Sequence, residues 1–300
     1  MTRTAPVPAR AATPPTDLGL YGEAAHRSAA TIIHEYSTSF AMATRLLSPA
    51  VRPQIEDVYA LVRVADEIVD GAAAEAGLSP AEIAAVLDGL EDDTERAMRS
   101  GYSANVVVHA FARTARAAGF GDELTRPFFA SMRRDLDPVD FTADELGAYI
   151  YGSAEVVGLM CLAVFLHDTR VPEPSRRRLE VGARRLGAAF QKINFLRDLA
   201  VDCTELGRSY FPGIDPAHLT ERQKLALVVD IDCDLGVAAD AIPELPENCR
   251  RAITAAHGLF AELSDRIRVT PAADLIAHRV SVPTRTKLAV LIRAAAGALR

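Results

Sequence analysis

A chain of 300 residues, 49% hydrophobic and 24% charged, has ordinary globular composition and enough material for one large domain or two modest ones. The net charge of −7 argues against wholesale nucleic-acid binding, though not against anionic small molecules, because a bound cation reverses the local sign. No uninterrupted apolar run reaches the roughly eighteen residues of a membrane span. Cys161, Cys203, Cys233 and Cys249 lie too far apart for a zinc knuckle or a disulfide framework, which points to a reducing cytoplasm.

The first stretch, Met1 to about Leu18, is Thr, Pro and Ala with two Arg and no apolar h-region. It reads as a disordered leader (residues 1–20) rather than a signal peptide, ahead of a single domain at 21–300. Beyond it nearly every segment carries helical periodicity, and runs of alternating β-branched residues are missing. Prolines fall at or near the breaks. The pattern predicts helices at roughly 24–47, 50–71, 80–99, 103–118, 122–135, 143–168, 174–203, 217–239, 248–267 and 285–298. There is no repeat of fixed period. The expected fold class is all-α.

Within the first helix Tyr36, Phe40, Ala43 and Leu47 form a stripe at steps of 4, 3 and 4. In the second, Ile55, Val58, Val62, Ala65 and Val69 make a core-facing stripe, and Tyr59, Arg63, Asp66 and Asp70 run beside it. Asp66 and Asp70 therefore sit one turn apart, with Cβ atoms about 5–6 Å from each other. Two ionised carboxylates at that spacing repel, and a hard divalent cation such as Mg²⁺ relieves the repulsion. A lone pair of this kind is more often a solvated acidic face. Further along, Gly147, Tyr151, Ala154 and Gly158 form a stripe of small residues, which suits either a roomy cavity or close helix packing. Arg176, Arg177, Arg178, Arg184 and Arg185 form a basic cluster, ordinarily a solvated face but also suited to transient contact with anionic lipid heads.

A second acidic helix strengthens the case for a metal. Gln191, Asn194, Asp198 and Asp202 follow at steps of 3, 4 and 4, all oxygen donors on one stripe, with Arg197 beside them for a phosphate. Just past it, Arg208 and Tyr210 belong to a Gly-Arg-Ser-Tyr-Phe-Pro segment that suits a flap over charged ligand. Two such helices facing each other would hold several Mg²⁺ ions and a diphosphate.

At these residues the chain resembles the squalene and phytoene synthase family, the head-to-head prenyl synthases. The resemblance runs from about Ser28 to Lys287 and rests on Tyr36-Ser-Thr-Ser-Phe40, Arg63-Val-Ala-Asp-Glu-Ile-Val-Asp70, Tyr151-Gly-Ser-Ala-Glu-Val-Val-Gly158, Gln191 to Asp202, Gly207-Arg-Ser-Tyr-Phe-Pro212 and Arg279-Val-Ser-Val-Pro283. It implies an isoprenoid synthase helical bundle with a central cavity and Mg²⁺, with Mn²⁺ as a substitute. Asp66, Asp70, Asn194, Asp198 and Asp202 match metal-binding positions, and the four aspartates carry catalysis through the metal. Tyr59, Arg63, Gln191 and Arg197 match residues around the diphosphates, and Ser37, Ser39 and Phe40 match the start of the substrate site. Arg208, Tyr210, Phe260 and Arg279 complete the substrate-binding set. Phe260 aligns where many relatives carry a Tyr, so a hydroxyl contact is lost there.

The implied reaction ionises one allylic diphosphate, joins its cation to a second substrate as a cyclopropyl diphosphate, and rearranges that to a linear product. The proton acceptor stays open between the released diphosphate, Tyr151 and a backbone carbonyl. Thr44, one turn after Phe40, is short, which would lengthen the cavity and favours two geranylgeranyl diphosphates giving phytoene over farnesyl diphosphate giving dehydrosqualene or squalene. No dinucleotide fingerprint is visible, so no NADPH is expected. A terpene cyclase would need an Asn/Asp-x-x-Ser/Thr-x-x-x-Glu motif, which is absent, and a di-iron bundle needs two Glu-x-x-His pairs where only Glu23-Ala-Ala-His26 occurs. A non-catalytic scaffold on the same fold would not keep both acidic motifs. The expected setting is the cytoplasm, with peripheral contact at the inner membrane surface and no obligate protein partner.

Overall fold

The computed structural model describes residues 16–137, 141–199 and 210–297, and every regular element among them is helical. The order is α1 (Asp17–Tyr36), α2 (Thr38–Thr44), α3 (Arg52–Val69), α4 (Ala72–Glu75), α5 (Pro80–Ser100), α6 (Val106–Ala118), α7 (Asp122–Arg134) and α8 (Ala143–Ile150). A π turn (Tyr151–Glu155) leads into α9 (Val156–Leu166), followed by α10 (Glu173–Arg197), α11 (Glu221–Ala241), α12 (Arg250–Val269), α13 (Ala272–Ala277) and α14 (Thr284–Ala295). Short 3₁₀ turns precede and follow α11 at Pro216–His218 and Ile242–Glu244. Helix α1 begins at Asp17, inside the stretch 1–20 that composition set apart.

Capping chemistry fixes several boundaries. Ser79 with Glu82, Thr142 with Glu145 and Thr220 with Gln223 form capping boxes at the starts of α5, α8 and α11. Gly101 and Gly119 close α5 and α6 in the left-handed conformation, at φ 84° and 76°.

Two sequence expectations are corrected here. The continuous helix expected over 24–47 breaks at Ser37, whose backbone is extended (φ −144°, ψ 103°) and whose hydroxyl accepts the Phe40 amide proton at 3.1 Å. Ser37 therefore caps α2 instead of continuing α1. Tyr36, half exposed at the end of α1, still lines one cavity with Phe40, Ala43 and Leu47. The helix expected over 143–168 is interrupted by the π turn. One inserted residue turns the following side chains by about 100°, so the stripe read through Gly147, Tyr151, Ala154 and Gly158 does not face one way. Gly147 is exposed.

Two large apolar clusters make most of the core. One gathers Phe111, Phe128, Phe129, Leu61, Leu87 and Met160 between α3, α5, α6, α7 and α9; the other gathers Ile193, Leu196, Val228, Ile231 and Ile267 between α10, α11 and α12. Buried Asp57 ties the first together, accepting from Thr114 Oγ1 on α6 and bonding His26 Nδ1 on α1, each at 2.7 Å. That bond occupies the one histidine of the Glu-x-x-His match. The segment Ala143–Leu166 is long and apolar enough to cross a membrane, but it lies mostly buried in the bundle.

The α9 and α10 backbones approach closely. A Cβ on Gly158 would stand 2.5 Å from the Ala183 carbonyl oxygen, and one on Gly187 would stand 2.5 Å from that of Ala154. Close packing therefore requires these glycines, whereas a Cβ at Gly147 meets nothing within 4 Å. Gly158→Ala is expected to destabilise the fold by about 1–3 kcal/mol through overpacking. Gly147→Ala should be neutral or stabilising by up to about 1 kcal/mol, since alanine is the better helix former. Denaturant unfolding of the two variants measures the contrast.

Candidate active site

Side chains from α2, α3, α9, α10 and α12 enclose a cavity of about 750 Å³. Its charged portion takes Arg63, Asp66 and Asp70 from α3, and Gln191, Asn194 and Arg197 from α10, with Asp198 capping α10. Much of the remainder is apolar, including Ile33, Val58, Leu47, Leu162, Phe165, Leu179 and Leu259. The two acidic stripes read from the sequence thus converge on one space. They do so because each lies beside an apolar stripe that the core buries.

The electrostatics are those of charges held beside a largely apolar space. Burial, then the neighbouring Asp70 charge, pushes the Asp66 carboxyl well above the usual carboxylate range, with Asp135 and Glu67 adding to the rise and Arg63 opposing it. Asp198 accepts from Arg197 Nε at 3.0 Å and from Arg279 Nε at 2.6 Å. Arg63 pairs with Glu67 and lies over the Tyr36 ring, 4.5 Å from its centroid. Burial raises the Tyr59 phenol. Cys161 also lines the cavity, but burial pushes its thiol up to about 12, so it is no thiolate nucleophile at neutral pH.

A divalent cation fits this donor set. The Asn194 side-chain oxygen is buried and has no hydrogen-bond partner among the described residues. An orphaned buried acceptor costs about 1–3 kcal/mol, and a cation would satisfy it. The raised Asp66 carboxyl asks for the same thing. Among the described residues no three His, Cys, Asp or Glu side chains converge closely enough to hold a metal by themselves. Such a set is completed by bound water or substrate phosphate, the usual habit of Mg²⁺. Asp202 and Arg208 lie outside the described residues.

The apolar portion begins with an aromatic cluster. Phe190 and Phe260 stack at 3.6 Å between centroids, and Phe40 packs 5.8 Å from Phe260 and 6.0 Å from Tyr59. Phe260 is a stacking partner here, a role that uses no hydroxyl. Ser37, Ser39 and buried Thr44 line the same space. Tyr210 lines it with its ring stacked on Phe195 at 3.9 Å.

Tyr151 needs correction. It does not line the cavity; its ring packs under the Arg184 guanidinium at 5.2 Å. The tyrosine that does line the cavity is Tyr149, whose hydroxyl donates to Asp135 Oδ1 at 2.8 Å. Asp135, at the C-cap of α7, lines the cavity as a third carboxylate beside Asp66 and Asp70. Sequence reasoning missed both. Asp135 has no partner at helical spacing, and Tyr149 differs from Tyr151 only by the helical phase that the π turn resets. Lys287, also missed, lines the cavity and reaches Thr38 Oγ1 at 3.2 Å.

The basic cluster on α10 is largely neutralised. Arg177 pairs with Glu173, Arg178 with Glu244, Arg184 with Glu155 and Arg185 with Asp234.

A thermal-shift measurement tests the cation site without turnover. Mg²⁺ with inorganic pyrophosphate should raise the melting midpoint, by linkage, about 2.7 kcal/mol of stabilisation at a hundredfold excess over Kd. For Asp66, a raised native pKa means that stability falls as pH rises from the unfolded carboxylate value through the native one. Asp66→Asn removes that loss. The variant should therefore melt higher than the parent at neutral pH without ligand, and should lose the ligand-induced rise.

A family model for squalene/phytoene synthases matches residues 33–228. The chain is 28% identical over 276 residues to 15-cis-phytoene synthase of Paracoccus sp., covering 86% of this chain and 87% of that one. It is 29% identical over 282 residues to phytoene synthase of Arthrospira platensis, covering 87% and 89%. Presqualene diphosphate synthase of Zymomonas mobilis is 27% identical over 271 residues, covering 87% and 81%. The solved structure of a dehydrosqualene synthase in complex with ligand superposes with a TM-score of 0.72 at 22% identity, covering 94% of this chain and 99% of that one, a likeness in fold. The match runs from the end of α1 into α11 and takes in both acid-bearing helices, and on that ground the chain belongs to the squalene/phytoene synthase family and is a prenyltransferase.

Proposed function

We propose that this protein condenses two geranylgeranyl diphosphates head to head, through a cyclopropyl diphosphate, to phytoene, a step of carotenoid biosynthesis, using Mg²⁺ or Mn²⁺ and no NADPH, in the cytoplasm. One observation carries the reading: carboxylates from α3 and the orphaned amide of α10 share a cavity that also has a large apolar portion. The names of the bacterial relatives, similar over most of their length, support the choice of product.

Asp66, Asp70, Asn194 and Asp198 would hold the cation, with Asp202 as a further ligand. Bound there, Mg²⁺ supplies positive charge that stabilises a departing diphosphate. Arg63, Arg197, Arg279 and Lys287 would orient the diphosphates through charge-assisted hydrogen bonds. The arginines now sit on Glu67 and Asp198, so their release onto phosphate would exchange one anion for another. Phe40, Phe190 and Phe260 offer π faces that stabilise an allylic cation without reacting with it. The apolar wall keeps water from capturing that cation. A proton accepted at the Tyr149 oxygen would pass along its hydrogen bond to Asp135, which makes this pair the protein's own candidate acceptor.

The relative named presqualene diphosphate synthase favours a second reading, condensation of farnesyl diphosphate. Thr44 separates the two. It is buried and lines the cavity beyond Phe40, where a larger side chain would shorten the space for a polyprenyl tail.

Incubation with geranylgeranyl or farnesyl diphosphate, with and without Mg²⁺ and NADPH, should give phytoene by mass only with the longer substrate and the metal. Preferred turnover of farnesyl diphosphate would overturn the proposal. Thr44→Phe should lower kcat/KM for geranylgeranyl diphosphate about tenfold or more and spare the shorter substrate. Tyr149→Phe should lower kcat by about a hundredfold, the scale of a lost acid–base group, while Tyr151→Phe leaves it nearly unchanged.

A further inference from the structure

Helix α14 is apolar on two faces. Val290, Leu291 and Ala294 point inward, with Leu291 and Ala294 against Ala255 of α12. The other face carries Leu288 and Ile292, which are 51% and 59% exposed, with exposed Ala289 and Ala296 between and beyond them. Arg285 and Arg293 flank this outer face, both exposed and in no ion pair among the described residues.

The charge around it is one-sided. Residues 275–300 hold Arg279, Arg285, Lys287, Arg293 and Arg300 and no Asp or Glu, in a chain whose net charge is −7. Four of the five α10 arginines pair with carboxylates and Arg279 pairs with Asp198, but Arg285 and Arg293 make no ion pair among the described residues. The same segment borders the cavity: Arg279, Val280, Ser281, Val282 and Lys287 all line it.

We propose that the outer face of α14 docks the protein on an anionic lipid surface, Leu288 and Ile292 entering the acyl boundary and Arg285 and Arg293 resting on the headgroups. Basic charge complements the anionic leaflet, and an i, i+4 apolar pair with arginines at its flanks is the arrangement of an interfacial helix. Docking by this face would set the cavity edge formed by residues 279–282 close to the bilayer. A polyprenyl tail could then pass between lipid and protein with little exposure to water. The role assigned to the surface rests on the proposed reaction, but the docking does not, and vesicle binding is read without turnover.

The test is co-sedimentation of the full chain with vesicles of phosphatidylcholine alone and of phosphatidylcholine with phosphatidylglycerol. The parent should pellet with the anionic vesicles only, and less in high salt. Arg285→Ala with Arg293→Ala should weaken partition about 25-fold, roughly fivefold for each charge. Leu288→Glu with Ile292→Glu should abolish it. Val229→Glu, at an exposed valine of α11, should leave it unchanged, and circular dichroism checks that every variant is folded. Equal binding of the α14 variants and the parent overturns the proposal, as does binding indifferent to lipid charge. A concentration-dependent dimer in gel filtration that Leu288→Glu with Ile292→Glu splits, without vesicle binding, overturns it in favour of a second copy as the occupant.

Discussion

Asp66, drawn to the edge of a largely apolar cavity, is expensive to ionise, and the architecture is arranged around that cost. Asp66 resists losing its proton because burial and the Asp70 charge act in the same direction, and Asp135 adds to both. Solvent would remove the difficulty, yet α3 must bury Ala60, Leu61 and Ala65 in the core, which fixes the orientation of its polar stripe. The bundle holds unfavourable charge in place through packing elsewhere. A cation and an anionic ligand can recover that energy when they bind.

The rest of the site follows from the same division. On the α10 side, Asn194 presents an unsatisfied oxygen while Ile193 and Leu196 anchor the helix in the core. Arginines neutralise Asp198 and Glu67, leaving Asp66 the most strained of the acids. Beyond the charged rim, the stack of Phe190 and Phe260 with Phe40 marks the change to apolar lining. The close backbone approach at Gly158 and Gly187 gives the wall its position, so of the two readings open for the small-residue stripe, Gly158 takes that of close packing.

Local periodicity accounted for much of this. Asp66 and Asp70 share a turn, as do Asn194 and Asp198, because i, i+4 spacing on an α-helix leaves no choice. The same rule failed where the helix itself changed. Ser37 caps a new helix, its hydroxyl accepting the Phe40 amide proton, so the helix expected over 24–47 is two. The π turn shifts the phase, so Tyr149 rather than Tyr151 lines the cavity. Five arginines that looked like a basic face on α10 were matched for the most part by acids on other elements, which linear proximity does not reveal.

By itself, then, the sequence determined an all-helical chain, the family, and two acid-bearing helices, because each is encoded within a turn or two of backbone. Only the tertiary structure decided that both helices border one cavity, that Asp135, Tyr149 and Lys287 join it from separate elements, and that α14 keeps an apolar face outward. Those facts depend on which surfaces the core buries across distant segments. Burial is a property of the packed whole and has no signature at any one position.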